Sequence, residues 1–287
     1  NTTTTGLIMN HDKLNELQTI ARQARKLIVD MLICAGCGHP GGALSSLELM
    51  TALYFDIMQV DPSNPQWDQR DRFILSKGHS SIGLYAILHL KGFMDLETLL
   101  TFRQDNSPLC GHPDMHKVPG VEMSTGSLGH GLSVGAGMAL AAKLDTQTYR
   151  TYVLMGDGET QEGSIWEAAM FASHHKLDNL IGIVDRNMIQ IDGNTEDILS
   201  LEPYKAKWEA FGWQVSEIDG HDFEQINASL AHASHQTGRP TLILANTVKG
   251  KGISFMEHNP AWHGGGLKGE HAEIALREVT ASLAKES

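Results

Sequence analysis

Short apolar segments alternate with segments of helical periodicity throughout the second half of the chain. Strands are predicted at Thr151–Met155, Asn179–Asp185, Gln214–Ile218 and Thr241–Val248, and helices at Glu162–His175, before and through Trp208–Gly212, and at Phe223–Ser234. Such alternation favours a parallel sheet, because right-handed crossover helices return the chain to the same sheet and cover both of its faces. We therefore predict a doubly wound α/β fold with a mainly parallel sheet and helices on both faces.

The first half of the chain is predicted to be mainly helical. Apolar side chains recur every three or four positions in residues 14–35, which indicates an amphipathic helix that ends at Gly36. Other helices are predicted at Leu44–Ile57, Ser81–Leu90, Leu128–Ala142 and Glu270–Lys285, and loops at Asp61–Asp71 and through most of Gly92–Gly131. Since neither an internal repeat nor a linker-like composition is seen, we predict a single domain over residues 1–287.

The composition is typical of a soluble globular protein. Apolar residues make up 41% and charged residues 20% of the chain, which excludes a disordered or fibrous protein. The formal charge of −12 argues against binding nucleic acid through bulk charge. We expect a cytoplasmic protein without a membrane partner, because no long apolar run or signal-like core is found. Separately, Met9 follows a Thr-rich stretch and is a candidate start site behind a short extension. The 29 glycines and 15 histidines suggest a site that handles a phosphate or a metal.

Two polar motifs come directly after the first two predicted strands of the alternating half. Gly156-Asp157-Gly158 follows the first strand, and 28 residues separate Gly158 from Asn187, which follows the second. Neighbouring parallel strands would bring Asp157 and Asn187 together at their carboxyl ends, where open α/β sheets bind ligands. A carboxylate and an amide oxygen suit Mg²⁺ or Ca²⁺, and Gly158 would let a phosphate approach the helix that begins near Glu162. The alternative is an ordinary turn with an unrelated asparagine.

Two further motifs have weaker functional interpretations. Residues 36–41 fit the dinucleotide-binding pattern G-x-G-x-x-G, but that fingerprint requires a preceding strand, whereas a helix is predicted there. Cys34 and Cys37 have the C-x-x-C spacing of redox and zinc sites, although zinc would need a second pair such as Cys110 and His112. We expect Cys34 and Cys37 to be buried, inert thiols at a helix end.

Taken together, the motifs resemble those of a known enzyme family. The spacing of Gly-Asp-Gly and Asn187 resembles the thiamine-diphosphate-binding motif, and the wider pattern is similar to transketolase. The other matching segments are Gly38-His39-Pro40-Gly41, Leu75-Ser76-Lys77-Gly78-His79, Cys110-Gly111-His112-Pro113, Thr125-Gly126-Ser127-Leu128-Gly129-His130-Gly131 and Trp262-His263-Gly264. They follow the family's order along nearly the whole chain. Ser127 and His130 depart from the family's usual Pro and Gln, and Arg186 stands where an acid is frequent; the role of His130 stays open.

The resemblance implies a set of cofactor ligands. Asp157 and Asn187 would bind Mg²⁺ (or Ca²⁺ or Mn²⁺ in its place) through their side chains, and Ile189 through its carbonyl oxygen. The residues implied to bind thiamine diphosphate are His79, Gly126, Ser127, Leu128, Gly156, Asp157, Gly158, Glu162, Asn187 and His263. Glu162 also matches an acid near the family's subunit interface. Its simpler interpretation is a favourable negative charge at a helix N-terminus.

The resemblance also implies a reaction, the transfer of a two-carbon ketol unit from a ketose phosphate to an aldose phosphate. Thiamine diphosphate reacts through a carbanion that attacks the ketose carbonyl and then accepts electrons. The implied catalytic residues are His39 and His263 at the reacting oxygens, His112 near the C1 hydroxyl and His79 on the diphosphate side. Imidazoles that titrate near neutral pH suit proton transfer and hydrogen bonding to sugar hydroxyls. Taken singly, each could instead be an ordinary turn histidine.

Chains of the transketolase type continue into a pyrimidine-binding domain, and nothing in this sequence resembles that domain. We therefore expect the N-terminal subunit of a split transketolase. A separate C-terminal subunit with the pyrimidine domain would complete it, in a heterotetramer with two copies of each chain. Two alternatives stay open: a subunit of another split thiamine-diphosphate enzyme, such as a 2-oxo-acid decarboxylase or dehydrogenase, and a non-catalytic scaffold subunit. The four histidines favour a sugar phosphate over a small oxo acid.

Overall fold

The computed structural model describes residues 9–284, and the Thr-rich segment before Met9 lies outside them. The strands are β1 (Arg72–Leu75), β2 (Thr151–Gly156), β3 (Leu180–Arg186), β4 (Ile189–Gln190), β5 (Gly193–Asn194), β6 (Gln214–Asp219) and β7 (Thr241–Asn246). Five of them form one sheet in the order β1-β2-β3-β7-β6, and all four pairings are parallel. β4 and β5 form a separate antiparallel pair. The predicted parallel sheet is confirmed.

Helices connect the strands of this sheet and precede it along the chain. They are α1 (His11–Ala35), α2 (Pro40–Ser45), α3 (Leu47–Ala52), α4 (Ser81–Lys91), α5 (Leu96–Leu99), α6 (His130–Leu144), α7 (Gly163–His174), α8 (Thr195–Ile198), α9 (Tyr204–Ala210), α10 (Phe223–Ser234) and α11 (Gly269–Leu283). α1 starts where the Asn10 side chain accepts a hydrogen bond from the Asp12 amide, and it ends at Gly36 (φ 66°), as predicted. Among residues 9–284, no helix has the length and apolar character needed to cross a membrane.

The central strands are buried on both faces, because their successive side chains enter two different apolar clusters. Along β2, Tyr152 and Leu154 belong to the first cluster, and Val153 and Met155 to the second. The first cluster includes side chains of α1, α3, α4, α10 and α11, and the second includes those of α6, α7 and α9. Helices therefore cover both faces, and the doubly wound architecture is confirmed.

One expectation for the first half is wrong, and one strand was missed. The single helix predicted at Leu44–Ile57 is instead α2, α3 and a π-helical turn at Leu53–Ile57, with a break at Ser46 (φ −101°, ψ 11°). The strand β1 was not predicted. With only four residues after a polar connection, it is too short to show a periodicity of its own, and it is stabilised by parallel pairing with the longer β2.

The loops that follow three neighbouring strands meet at one edge of the sheet. Gly156 on β2 is in register with Asp185 on β3, and Asp185 with Ala245 on β7. The Gly-Asp-Gly triplet, Asn187 and the segment after β7 therefore leave the sheet side by side. This carboxyl edge is where parallel sheets bind ligands.

Replacing Gly135 tests the close packing of α6 on β2. A Cβ at Gly135 would lie 2.5 Å from Val153 Cγ2, whereas one at Gly137 on the same helix would meet nothing within 4 Å. We expect Gly135→Ala to destabilise the fold by about 1–3 kcal/mol through overpacking. Gly137→Ala is the matched control and should stabilise it by up to about 1 kcal/mol through helix propensity. Urea unfolding measures both changes, and equal effects at the two positions would contradict the packing argument.

Candidate active site

A cavity of about 400 Å³ lies at the carboxyl edge of the sheet. The predicted site residues that line it are His39, His79, Gly126, Leu128, Gly156, Asp157, Gly158, Glu162, Asn187, Ile189 and His263. Ser127 and His112 are not among its lining residues; both are exposed, and His112 lies next to Gly126. A larger groove of about 650 Å³ runs beside α1 and α10 and contains none of the predicted residues. The structure therefore brings most of the predicted set into one cavity.

Asp157 is held at the end of β2 by hydrogen bonds from its neighbours. Its carboxylate accepts from the amides of Gly158 (2.8 Å) and Met188 (2.7 Å) and from the Thr195 hydroxyl (3.3 Å). Burial, and after it the nearby Asp185 carboxylate, raises the pKa of Asp157 to about 6. A cation bound beside Asp157 would oppose both effects, because it favours the ionised form.

The side-chain amide of Asn187 has a defined orientation. Its Nδ2 donates to Asp185 Oδ2 at 3.0 Å and to Ser45 Oγ at 3.4 Å. Because an ionised carboxylate only accepts hydrogen bonds, the NH₂ group must face Asp185. Oδ1 accepts from the Ile189 amide at 3.2 Å and retains a second lone pair. Asp185 thereby leaves the amide oxygen of Asn187 available to a cation.

A buried ion pair underlies this edge of the sheet. Lys77 Nζ lies 2.6 Å from Asp185 Oδ2, and neither side chain is more than 2% exposed. Asp185 also accepts from the hydroxyls of Ser45 (2.6 Å) and Thr247, and Lys77 donates to the Gly42 carbonyl at 2.6 Å. Burial alone would raise the pKa of Asp185, but Lys77 and these hydrogen bonds lower it below its usual value. Asp185 is therefore ionised near neutral pH.

Lys249 brings a second buried ammonium group into the cavity. Its Nζ donates to the Ile189 carbonyl at 2.7 Å and lies 2.9 Å from His263 Nδ1. Burial lowers the pKa of Lys249 to about 8, against the opposing effects of Asp157 and Asp185. Lys249 is thus mostly protonated near pH 7, and in this structure it binds one of the oxygens predicted to be a metal ligand.

Three of the four predicted catalytic histidines form a compact triangle. The ring centroids of His39 and His79 are 5.4 Å apart, those of His39 and His263 are 5.7 Å apart, and those of His79 and His263 are 5.2 Å apart. The rings come from three separate parts of the chain: the N-terminus of α2, the turn after β1, and the segment before α11. Only the tertiary fold brings them together.

All four histidines are held in the neutral form near pH 7. Burial, followed by Lys77, lowers the pKa of His79 to about 2, and burial, followed by Lys249, lowers that of His263 to about 4. Burial, followed by Arg103, also lowers the pKa values of His39 and His112. A neutral imidazole offers one hydrogen-bond donor and one acceptor, so these histidines can either donate a hydrogen bond to a hydroxyl or accept one from it.

The donors at this edge fit a divalent cation that carries a diphosphate. Asp157, Asn187 and the Ile189 carbonyl provide hard oxygen atoms, and Mg²⁺ usually completes its shell with phosphate oxygens and water. Within residues 9–284, no three His, Cys, Asp or Glu side chains converge as a metal cluster. Lys77 and Lys249 add the positive charge that a diphosphate requires.

Several residues of the cavity were not predicted as site residues. Lys77 lies two residues before His79 in one of the segments that match the family, and Lys249 comes three residues after β7. The position of Lys249 just after a predicted strand could have identified it, whereas the strand before Lys77 has no sequence signal of its own. Glu159 was also missed; it is buried and accepts hydrogen bonds from the Gly129 and Gly156 amides, each at 3.0 Å.

Other expectations need correction or refinement. Cys34 and Cys37 are free and exposed rather than buried, because the end of α1 presents them to solvent. α7 begins at Gly163, next to the exposed Glu162 as predicted, but a 3₁₀ turn at Gly158–Gln161 separates it from the Gly-Asp-Gly triplet. His130 is exposed at the start of α6.

Replacing Lys77 tests the buried ion pair. Lys77→Met would leave the Asp185 carboxylate buried without its partner cation, and we expect a loss of about 3–5 kcal/mol in the free energy of unfolding. Lys143→Met is the control, since Lys143 and Asp178 form a pair of the same length, 2.6 Å, with Lys143 37% exposed. It should cost no more than about 1 kcal/mol. Similar losses in the two variants, measured by urea denaturation, would contradict this account of the site.

Comparison with known proteins agrees with the geometry. Residues 17–282 match a family model described as transketolase, thiamine diphosphate binding domain. The chain is 48% identical over 273 residues to a subunit of the apulose-4-phosphate transketolase of Phocaeicola vulgatus, covering 95% of this chain and 97% of that protein. It is 47% identical over 264 residues to a 6-deoxy-6-sulfo-D-fructose transketolase subunit of a Clostridium species, covering 92% and 96%.

A solved structure extends the agreement to the fold. Transketolase from Campylobacter jejuni matches with a TM-score of 0.88 at 37% identity, covering 96% of this chain and 46% of that one. The chain thus spans nearly the whole of the two relatives above and about half of this larger enzyme. The family model, the identities and the fold all lead to one conclusion: this chain belongs to the transketolase family and contains its thiamine-diphosphate-binding domain.

Proposed function

We propose that this chain is the diphosphate-binding subunit of a two-subunit transketolase, which uses thiamine diphosphate and Mg²⁺ to move a two-carbon ketol unit from a ketose phosphate to an aldose phosphate. One observation carries the proposal. Oxygen donors for a divalent cation, two buried ammonium groups and three neutral imidazoles converge on one cavity at the carboxyl edge of the sheet.

The cation would be held by Asp157, Asn187 and the Ile189 carbonyl. The hydrogen bonds to Asp157 and the orientation of the Asn187 amide support this, since both oxygens are positioned before any ion binds. Mg²⁺ fits best, with Ca²⁺ or Mn²⁺ as substitutes, because the donors are carboxylate, amide and carbonyl oxygens. Lys249, which donates to the Ile189 carbonyl in this structure, would contact a phosphate oxygen of the bound cofactor.

The remaining cofactor contacts would come from Gly126, Ser127, Leu128, Gly156, Gly158, Glu162, His79 and His263. Gly158 has no side chain to obstruct a diphosphate, and Gly126 and Leu128 also line the cavity. Bound thiamine diphosphate supplies the nucleophilic carbon and the electron sink that cleavage of a carbon–carbon bond requires.

The histidines would manage protons and orient the sugar. Because burial keeps His39 and His263 neutral, each can accept a proton from a hydroxyl or donate one to a developing alkoxide. His112, exposed beside Gly126, would contact the C1 hydroxyl region of the ketose. His79, whose pKa is lowered by burial and by Lys77, would lie on the diphosphate side.

The substrate class follows from the same cavity and from the relatives. Neutral donors and acceptors suit a polyhydroxylated chain better than a small oxo acid. The two relatives of similar length are named for apulose 4-phosphate and for 6-deoxy-6-sulfo-D-fructose, both sugars with an anionic end. We propose a sugar of that kind, with the anionic end held mainly by the partner subunit.

A partner with the pyrimidine-binding domain would complete the site, and residues 1–287 would form one diphosphate-binding domain. Apolar side chains at the mouth of the cavity support this, since Leu128 is 37% and Ile191 68% exposed, and Leu199 nearby is 57% exposed. The word subunit in the relatives' names points the same way. We propose a heterotetramer with two copies of each chain.

Removing the Asp157 carboxylate tests the metal site. Asp157→Ala should weaken Mg²⁺-dependent binding of thiamine diphosphate at least about 100-fold, because a charged ligand of the cation is lost. Asp192→Ala is the control, since Asp192 is an exposed carboxylate on the rim of the same cavity. Calorimetric titration in Mg²⁺ and in EDTA measures the effect. Unchanged binding by the Asp157 variant would exclude the assigned metal site.

Reconstitution tests the need for a partner. The purified chain should show no ketol transfer with Mg²⁺ and thiamine diphosphate, and activity should appear when a pyrimidine-domain subunit from the same organism is added. The physical reason is that a lone diphosphate-binding half lacks the groups that activate the aminopyrimidine. Production of the transferred ketose by the chain alone, followed by a coupled assay, would overturn the two-subunit proposal.

A further inference from the structure

Lys249 is flanked on both sides by residues that hydrogen bond to one buried network. The Val248 amide, directly before it, donates to His221 Nε2 at 2.9 Å. The Lys251 carbonyl, two residues after it, accepts from Arg25 Nε at 3.1 Å. His221 and Arg25 are far apart in the sequence. His221 lies in the loop after β6, and Arg25 lies on α1. The segment that carries Lys249 is therefore held at two points.

A single carboxylate joins these two contacts. Glu48 on α3 accepts from Arg25 Nη2 at 2.5 Å through one oxygen and pairs with His221 Nδ1 at 3.0 Å through the other. The Arg25, Glu48 and His221 side chains are only 10%, 9% and 13% exposed. Burial alone would raise the pKa of Glu48, but Arg25 and the hydrogen bond with His221 lower it to about 2. Glu48 is thus ionised at neutral pH and pairs with both Arg25 and His221.

The contacts of His221 determine its tautomer. Nε2 accepts a hydrogen bond from the Val248 amide, so this nitrogen must carry a lone pair and the ring proton must be on Nδ1, facing Glu48. A carboxylate that accepts the Nδ1 proton orients the ring and fixes this tautomer, the same physical arrangement by which carboxylates orient metal-bound histidines. An imidazolium or an apolar ring could not accept the Val248 amide.

We propose that Arg25, Glu48 and His221 form a clamp that positions Lys249 in the cavity, with all three acting as positioning residues. The clamp fixes the backbone on both sides of Lys249. The position of this backbone determines whether the ammonium contacts the Ile189 carbonyl and His263. The Gly250 amide adds a third anchor by donating to the Gly41 carbonyl at 3.0 Å. The role of Lys249 toward a diphosphate rests on the proposed function, whereas its placement by the clamp does not.

The test combines substitutions at His221 and Lys249. His221→Phe retains a ring but removes the acceptor for the Val248 amide, and His221→Gln restores an acceptor at the end of a side chain of similar reach. We expect Lys249→Met to weaken binding of thiamine diphosphate with Mg²⁺ by about 10- to 100-fold, the effect of a lost charge-assisted hydrogen bond. His221→Phe should weaken it about tenfold when Lys249 is present and less than about twofold in the Lys249→Met background. His221→Gln should recover most of the affinity.

A second readout needs no cofactor. Acetylation of Lys249 in the chain alone, followed by peptide mass spectrometry, should be several-fold faster in His221→Phe, because its ammonium leaves the buried contacts. His235→Phe is the control, since His235 is an exposed histidine that makes no contact with this segment. If His221→Phe does not fold, Glu48→Gln gives the same comparison, because it removes the negative charge that pairs with both Arg25 and His221.

The outcomes separate the clamp from the proposed function. Equal losses of affinity in the two Lys249 backgrounds, or unchanged acetylation of Lys249 in His221→Phe, would overturn the clamp and leave the network a purely structural one. Absence of cofactor binding by the unaltered chain, together with faster acetylation in His221→Phe, would support the clamp and count against the proposed function.

Discussion

The buried pair between Lys77 and Asp185 is the interaction on which the site depends. Asp185 lies one residue before the end of the central strand β3, and its two oxygens contact the segment after β1, the helix α2 and the segment after β7. The same carboxylate orients the Asn187 amide. Since each partner is almost fully buried, the loss of one would leave the other uncompensated at a large energetic cost. The pair therefore joins four parts of the chain and holds the Asn187 amide in one orientation.

Electrostatics at this edge differ from those of the whole molecule. The chain carries a formal charge of −12, which by itself would disfavour phosphorylated ligands. Inside the cavity, however, the side chains of Lys77 and Lys249 are buried ammonium groups, and one divalent cation would offset Asp157. Burial keeps the neighbouring histidines neutral, so they add hydrogen-bonding capacity without adding charge. The local balance, and not the overall charge, governs what the cavity can bind.

Much of the architecture could be predicted because it depends on local periodicity. The apolar segments that became β2, β3 and β7 and the helical spacing of α1 and α10 are visible in short windows of sequence. β1 could not be found in this way, since its four residues are a strand only because β2 pairs with them. The break at Ser46 and the exposure of Cys34 likewise depend on how neighbouring elements pack.

The sequence by itself determined which chemical groups the chain contains and where they fall relative to strands. Asp157 and Asn187 follow neighbouring strands, and that spacing is enough to predict a metal-binding edge. The tertiary structure alone decided which distant groups join them. Lys77, Lys249 and the clamp around Glu48 come from segments far apart in the chain, and their pairing depends on burial and on hydrogen bonds that form only when the sheet is assembled. Local patterns encode the elements, whereas electrostatic partners are chosen by proximity in the folded state.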